Sequence, residues 1–155
     1  MLESPQTCPE CGAPQTEKSC QDDFHQMLYW ESEDPGLWEV HHLMVLCYHL
    51  QHPSLYSPAG LTWAKETLAE FVEHDVTTEE IRRRSRPNLD SGNRKWKIKG
   101  TPEAHGSYAN PVEWTMTAAD VTAGGMNAYC DNVRAWARSV LDSLKASQNL
   151  SIPSN

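Results

Sequence analysis

The stretch TCPECGAPQTEKSCQDDFH, residues 7–25, brings three cysteines and a histidine together near the start of the chain. Cys8-x2-Cys11 is the tight pair that lets two thiolates take adjacent corners of a tetrahedron, with Gly12 relieving the turn behind them. Cys20 follows at the expected start of a helix, where the positive end of the helix dipole favours a thiolate. Three soft ligands point to zinc. A redox CxxC usually opens a helix in a strand-containing fold, and no strand is predicted before this one. The plainest alternative is a set of free thiols with no ligand.

The fourth ligand is less constrained. Five residues along a helix turn roughly 500°, which leaves His25 about 140° from Cys20. His41 lies on an apolar helix, on one face with Leu37, Met44 and Tyr48, and an inward-facing histidine there needs a partner for its polar nitrogens. Zinc would be such a partner, and a hydrogen bond in the core would be another. His42 sits one position round, and His52 closes the same segment. Cys47 reads as core packing. Cys130, on the last helix, could pack or could meet His41 or His52 across the bundle.

These side chains need helices to position them. Ser19 can cap a helix from about Cys20 to Ser32 whose apolar stripe is Phe24, Met27, Leu28 and Tyr29. Asp34-Pro35-Gly36 breaks the chain. The segment LWEVHHLMVLCYHLQHP is apolar on almost every side, as a buried helix is, and Pro53 ends it by pushing His52 out of the helical region. Ser57-Pro58 begins a helix to about His74 with Leu61, Ala64, Leu68 and Phe71 on one face. Thr77 and Glu80 have capping-box spacing for a short helix through the arginines. Thr117 and Asp120 offer another cap, for a helix from about Ala118 to Ala146 loosened at Gly124-Gly125, with the stripe Met126, Tyr129, Val133, Trp136, Val140 and Leu144. The fold expected is all-α, a four- to five-helix bundle carrying an N-terminal cysteine-rich, zinc-binding loop. In outline this is one domain over 1–155, with the cysteine loop at 1–19, helices over 20–86, a long irregular loop at 87–112, the C-terminal helix at 113–147 and a tail at 148–155.

The 155 residues carry a formal charge of −8, unevenly spread. Up to Ile81 the bases are Lys18 and Lys65 against fifteen acids, whereas Arg82 to Lys99 holds eight of the thirteen bases and one acid, Asp90. Arg82, Arg83, Arg84 and Arg86 are therefore the candidates for contact with an anion. A solvated face that offsets the acidic remainder is the blander reading. Nucleic-acid binding usually comes with a more basic domain. No apolar run reaches the roughly 18 residues of a membrane helix, and the N-terminus lacks a secretory pattern, so a cytoplasmic location is expected, with no membrane partner. A reducing compartment also suits an odd number of cysteines used for metal rather than disulfides.

Together, CPECG at 8–12, Cys20, VHHLMVLCYHLQHP at 40–53 and WARSV at 136–140 resemble an uncharacterised bacterial family, a domain of unknown function. Its members carry CxxCG near the N-terminus, a cysteine at a helix start, a segment similar to VHRLTVDAYALQHP, and a C-terminal WA-S-V helix. The resemblance spans most of the chain and is loose between about residues 75 and 110. It implies Cys8, Cys11, Cys20 and His41 as the ligand set, with His52 a weaker companion and Cys130 standing where members often have histidine. A more distant likeness is to the DinB/YfiT-like helical bundles, in which three histidines bind a metal used for hydrolysis or thiol transfer. The chain lacks the HxxxH pair those bundles commonly show on a late helix.

Two functions follow. Four closed ligands would make the zinc structural, leaving the role to a small-molecule or protein partner. Three ligands and a water would make a metal-dependent hydrolase or transferase, with Glu31, Glu39 or a neighbouring histidine as base and a pocket lined by Trp38, Tyr48 or Trp114. Anion or nucleic-acid binding through 82–99 is a further alternative.

Overall fold

A computed structural model of the chain describes residues 7–13, 19–74, 79–80, 83 and 99–149. Ser19 opens the first helix, α1 (Cys20–Glu33), through a reciprocal capping box: its hydroxyl accepts from the Asp22 N–H at 3.1 Å, and the Asp22 carboxylate accepts from the Ser19 N–H at 2.9 Å. Asp34 ends it and accepts from the Gly36 N–H at 3.0 Å, which starts a 3₁₀ turn over Pro35–Val40. Only then does α2 (His41–Leu50) begin. The single helix expected from Leu37 is thus a turn followed by a helix, because the Asx turn set by Asp34 and Pro35 winds the chain too tightly for an α-helical entry. Pro58 sits at the first position of α3 (Pro58–His74).

The C-terminal region also divides. Thr117 and Asp120 form the expected capping box of α4 (Ala118–Ala123), but Gly125 adopts φ +82° and the chain restarts, through a 3₁₀ turn at Met126–Ala128, as α5 (Tyr129–Ala146). The glycine pair breaks the helix rather than loosening it, since a left-handed residue cannot sit in a right-handed ladder. On α5 the residues Tyr129, Val133, Trp136, Val140 and Leu144 are fully buried, so the expected stripe holds from Tyr129 onward. Met126, outside the helix, is half-buried.

The helices form an all-α bundle. α2 packs on α3 and α5, α3 on α5, and α1 on α4, with the Pro35–Val40 turn wedged among α1, α2 and α5. Among the described residues no strand forms; an isolated antiparallel bridge joins Tyr56 to Lys99. The C-terminal end of α2 gathers the irregular segments around it. The Leu50 carbonyl accepts from the Tyr108 hydroxyl, and the fully buried Gln51 amide donates to the Met116 carbonyl at 2.7 Å. Tyr108 thereby occupies a helix terminus whose last carbonyls have no partner within the helix, and Gln51 ties that terminus to the segment before α4.

α1 does not bury the stripe its apolar residues suggest. Its fully shielded residues are Cys20, Asp23, Met27 and Glu31, while Phe24 and Leu28 are half-buried and Tyr29 is 58% exposed. Two carboxylates turned inward need partners, and both have them: Asp23 accepts from the Thr122 hydroxyl at 2.9 Å, and Glu31 is held by His41 and Tyr129. Polar pairing, with Cys20 alongside, sets the rotation of this helix.

Candidate metal centre

Three separate elements deliver four ligand atoms to one point. The loop supplies Cys8 and Cys11, the first residue of α1 supplies Cys20, and the residue just past the α2 cap supplies His52. These ligand atoms all lie within 4.8 Å of one another, and all four residues are buried. The Cys11 and Cys20 sulfurs are 3.4 Å apart, and the cysteines are free thiols. A zinc ion with bonds of about 2.3 Å to sulfur separates tetrahedral corners by roughly 3.8 Å, so a small contraction of the larger gaps would seat it.

The loop geometry follows from its sequence. The Cys8 N–H donates to the Ala13 carbonyl at 2.9 Å and the Gly12 N–H to the Cys8 carbonyl at 2.8 Å, closing a turn that needs φ +79° at Gly12. That turn aims two amides at sulfur: Cys11 N–H lies 3.5 Å from the Cys8 Sγ, and Ala13 N–H lies 3.5 Å from the Cys11 Sγ. Such donors stabilise thiolate charge and fix the ligands' direction. Glu10 anchors the outside of the loop. Its carboxylate accepts from the Ser54 hydroxyl and its carbonyl accepts from the Trp114 indole at 3.1 Å.

His52 carries the strongest signal. Its Nδ1 bonds to the Tyr48 carbonyl at 2.6 Å, one turn back, so the proton belongs on Nδ1 and the lone pair on Nε2. That Nε2 is buried and has no hydrogen-bond partner. An orphaned acceptor beside three thiols fits the role of a metal ligand. Tyr48 packs against the ring, tilted by 35° at a centroid distance of 4.4 Å, and holds it in place.

The thiols bear unequal burdens. Burial acts to raise the Cys8 pKa, yet the backbone N–H groups of Cys11 and Glu10 and the thiols beside it outweigh burial and lower it overall. Burial pushes Cys20 up to about 11, with the Cys8 and Asp23 charges adding to the rise, and drives Cys11 higher still. Three thiolates this close repel one another unless a cation neutralises them. Burial likewise lowers the His52 pKa and keeps the ring neutral, as ligation requires.

The expected partners are thereby sorted. Cys8, Cys11 and Cys20 come together, and the histidine that joins them is His52. His41 is not brought to the thiols: it sits at the other end of α2, with Nδ1 2.6 Å from a Glu31 carboxylate oxygen. The helical face used to choose His41 points it to a polar partner in the core, which Glu31 supplies. The usable signal for His52 was its place before Pro53: leaving the helix lets the ring fold back to its own i−4 carbonyl and frees Nε2. His25 is exposed, and His42 is half-buried with its ring 5.5 Å from that of His41. Cys47 is fully buried among apolar neighbours. Cys130 is half-buried, its thiol pushed up by burial and by the Glu39 carboxylate beside it.

Of the arginine candidates, Arg83 is exposed and paired with Glu80, while Arg82, Arg84 and Arg86 lie outside the described residues. Thr77, the expected cap of that segment, lies outside them too. A cleft of about 500 Å³ runs along the loop, with Trp114, Thr117 and Asp120 on its far wall. Of the expected pocket residues, Trp114 lines it, whereas Trp38 lies by His41 and Tyr48 is buried against His52. Among the described residues no helix is long and apolar enough to cross a membrane.

Comparison with known proteins agrees with the resemblance. The model of a family of unknown function, DUF5946, matches residues 6–145, and the chain belongs to that family. No curated protein and no solved structure matches the chain, so the likeness to DinB/YfiT-like bundles gains no support.

Proposed function

We propose that this member of DUF5946 is a zinc-stapled helical protein in which Cys8, Cys11, Cys20 and His52 hold one structural zinc ion. The observation that carries the reading is the buried, partnerless Nε2 of His52 among three thiols. Three sulfurs and one imidazole suit zinc over harder cations, and the amides of Cys11 and Ala13 offset the net negative charge of a tris-thiolate site. Four protein donors leave no position for water, which favours a structural ion over a metal-dependent hydrolase or transferase. The zinc pins loop 7–13 to the start of α1 and the end of α2, and the loop in turn forms one wall of the Trp114 cleft. A small molecule or protein partner would meet the molecule there. Free thiols of this kind persist in a reducing compartment, so we place the protein in the cytoplasm.

The test is elemental analysis of protein purified without added metal, for the wild type and for Cys20→Ala, His52→Ala and His41→Asn. About one zinc per chain is expected in the wild type and His41→Asn, with loss in the other two. Retention by His52→Ala with loss in His41→Asn would move the fourth ligand back to His41. A metal-free wild type, freshly reduced, would end the reading.

A further inference from the structure

At the opposite end of α2 from the thiols lies a second polar constellation that the metal centre does not use. Glu31 on α1 is 1% exposed, yet both of its oxygens are engaged: one receives the Tyr129 hydroxyl at 2.5 Å and the other lies 2.6 Å from His41 Nδ1. The three residues come from α1, α2 and α5, so only the folded bundle assembles them. We propose that they form a metal-independent catalytic site in which His41 Nε2 takes the proton of a water that attacks a carboxylic ester.

The ring's placement carries this assignment. With Nδ1 turned inward onto a buried carboxylate, the proton is held on Nδ1 and the lone pair on Nε2, the arrangement in which a carboxylate orients a histidine base. His41 is 19% exposed, and Glu31 occupies its Nδ1, which leaves Nε2 as the ring nitrogen for an incoming group. Trp38 is 48% exposed, and its ring lies 4.3 Å from that of His41 between centroids. It offers an apolar platform for an acyl or aryl group beside the imidazole. His52 stands eleven positions further on, on the order of 15 Å along the helix axis, so the two sites are separate.

In the step, the water oxygen bonds to the ester carbonyl carbon while its proton passes to Nε2. The tetrahedral adduct then expels the alcohol by breaking the C–O bond, and the imidazolium returns the proton to the leaving alkoxide. The products are a carboxylic acid and an alcohol, and the Glu31 carboxylate beside Nδ1 stabilises the imidazolium. His41 is the catalytic residue; Glu31 and Tyr129 are positioning residues.

The experiment follows hydrolysis of 4-nitrophenyl acetate by the zinc-loaded full chain. His41→Asn keeps an N–H near the position of Nδ1 for Glu31 but has no Nε2. Saturable wild-type hydrolysis without an initial burst is expected, with kcat/KM falling about 100-fold or more in His41→Asn at unchanged zinc content. Tyr129→Phe should lower kcat and leave KM unchanged. In case His41→Asn fails to fold, diethyl pyrocarbonate modification of folded wild type, mapped by mass spectrometry, should remove activity in step with His41. Activity equal in His41→Asn, lost in Cys130→Ser instead, or surviving modification of His41 overturns the assignment. So does a burst of one nitrophenolate per chain, which would mean that a side chain is acylated directly.

Discussion

Replacing His52 by alanine separates a metal ligand from a packed core residue, because only the first makes the effect of the substitution depend on chelation. A ligand that binds only the native state stabilises it by about 2.7 kcal/mol when its free concentration is 100 times Kd. Take zinc buffered at that level for the wild type, and let loss of the Nε2 ligand weaken binding by about 100-fold, the upper end of what even a residue behind the ligands commands. The variant then keeps only about 0.4 kcal/mol of metal-linked stability, a deficit of about 2.3 kcal/mol. For a chain of 155 residues that corresponds to a Tm difference of roughly 5–9 °C in buffered zinc. Under chelator the comparison changes. Nε2 is buried without a partner, which costs the metal-free wild type about 1–3 kcal/mol, and alanine removes that cost while losing the packing against Tyr48. The chelated proteins should therefore melt much closer together than the zinc-loaded ones. Calorimetry of both proteins, each in buffered zinc and in chelator, measures the difference of differences, in which packing cancels. Equal chelator-induced shifts in the two proteins would refute the assignment of His52, and no shift in either would refute the metal.

Other consequences are as direct. Gly12→Ala puts a Cβ on a residue at φ +79° where open space surrounds it, so its cost is backbone strain of about 1–2 kcal/mol, to be read as weaker zinc retention in a chelator competition. Trp136 is fully buried with its indole N–H unpaired, so Trp136→Phe leaves a small void but relieves that group; urea unfolding should show a loss well below the roughly 3–5 kcal/mol of Trp136→Ala. His49 has its pKa lowered by burial, so the unfolded chain takes up a proton below about 6.5 that the native ring refuses. Its contribution is present above that pH and is lost as the pH falls. His49→Gln should flatten the decline of stability in mild acid, and an unchanged slope in denaturant titrations would count against it.

What was legible in the sequence was mainly local. Ser19 with Asp22, Thr117 with Asp120, and Pro58 each mark a helix start through a capping or proline preference that depends on three or four residues, and each start lies where expected. The Cys8-x2-Cys11-Gly12 turn is equally local, and the five-residue stripe of α5 needs only helical periodicity. The 3₁₀ entry to α2 and the break at Gly125 were harder to read, because both depend on how tightly a turn winds against its neighbours.

The partners across the bundle belong to the tertiary structure alone. Periodicity names the face of a helix but not what that face meets, so it could mark His41 as inward-facing without distinguishing zinc from Glu31. Glu31, on a helix whose apolar residues suggested a different face, is buried because His41 and Tyr129 satisfy both of its oxygens from ten and 98 residues away. His52 meets the thiols because Pro53 ends α2 beside the first turn of α1, a juxtaposition set by helix packing. The sequence by itself determined three helix starts, the buried stripe of α5 and the three thiol candidates; the packing of α1, α2 and α5 decided which of the candidate histidines stands beside sulfur and which beside a carboxylate.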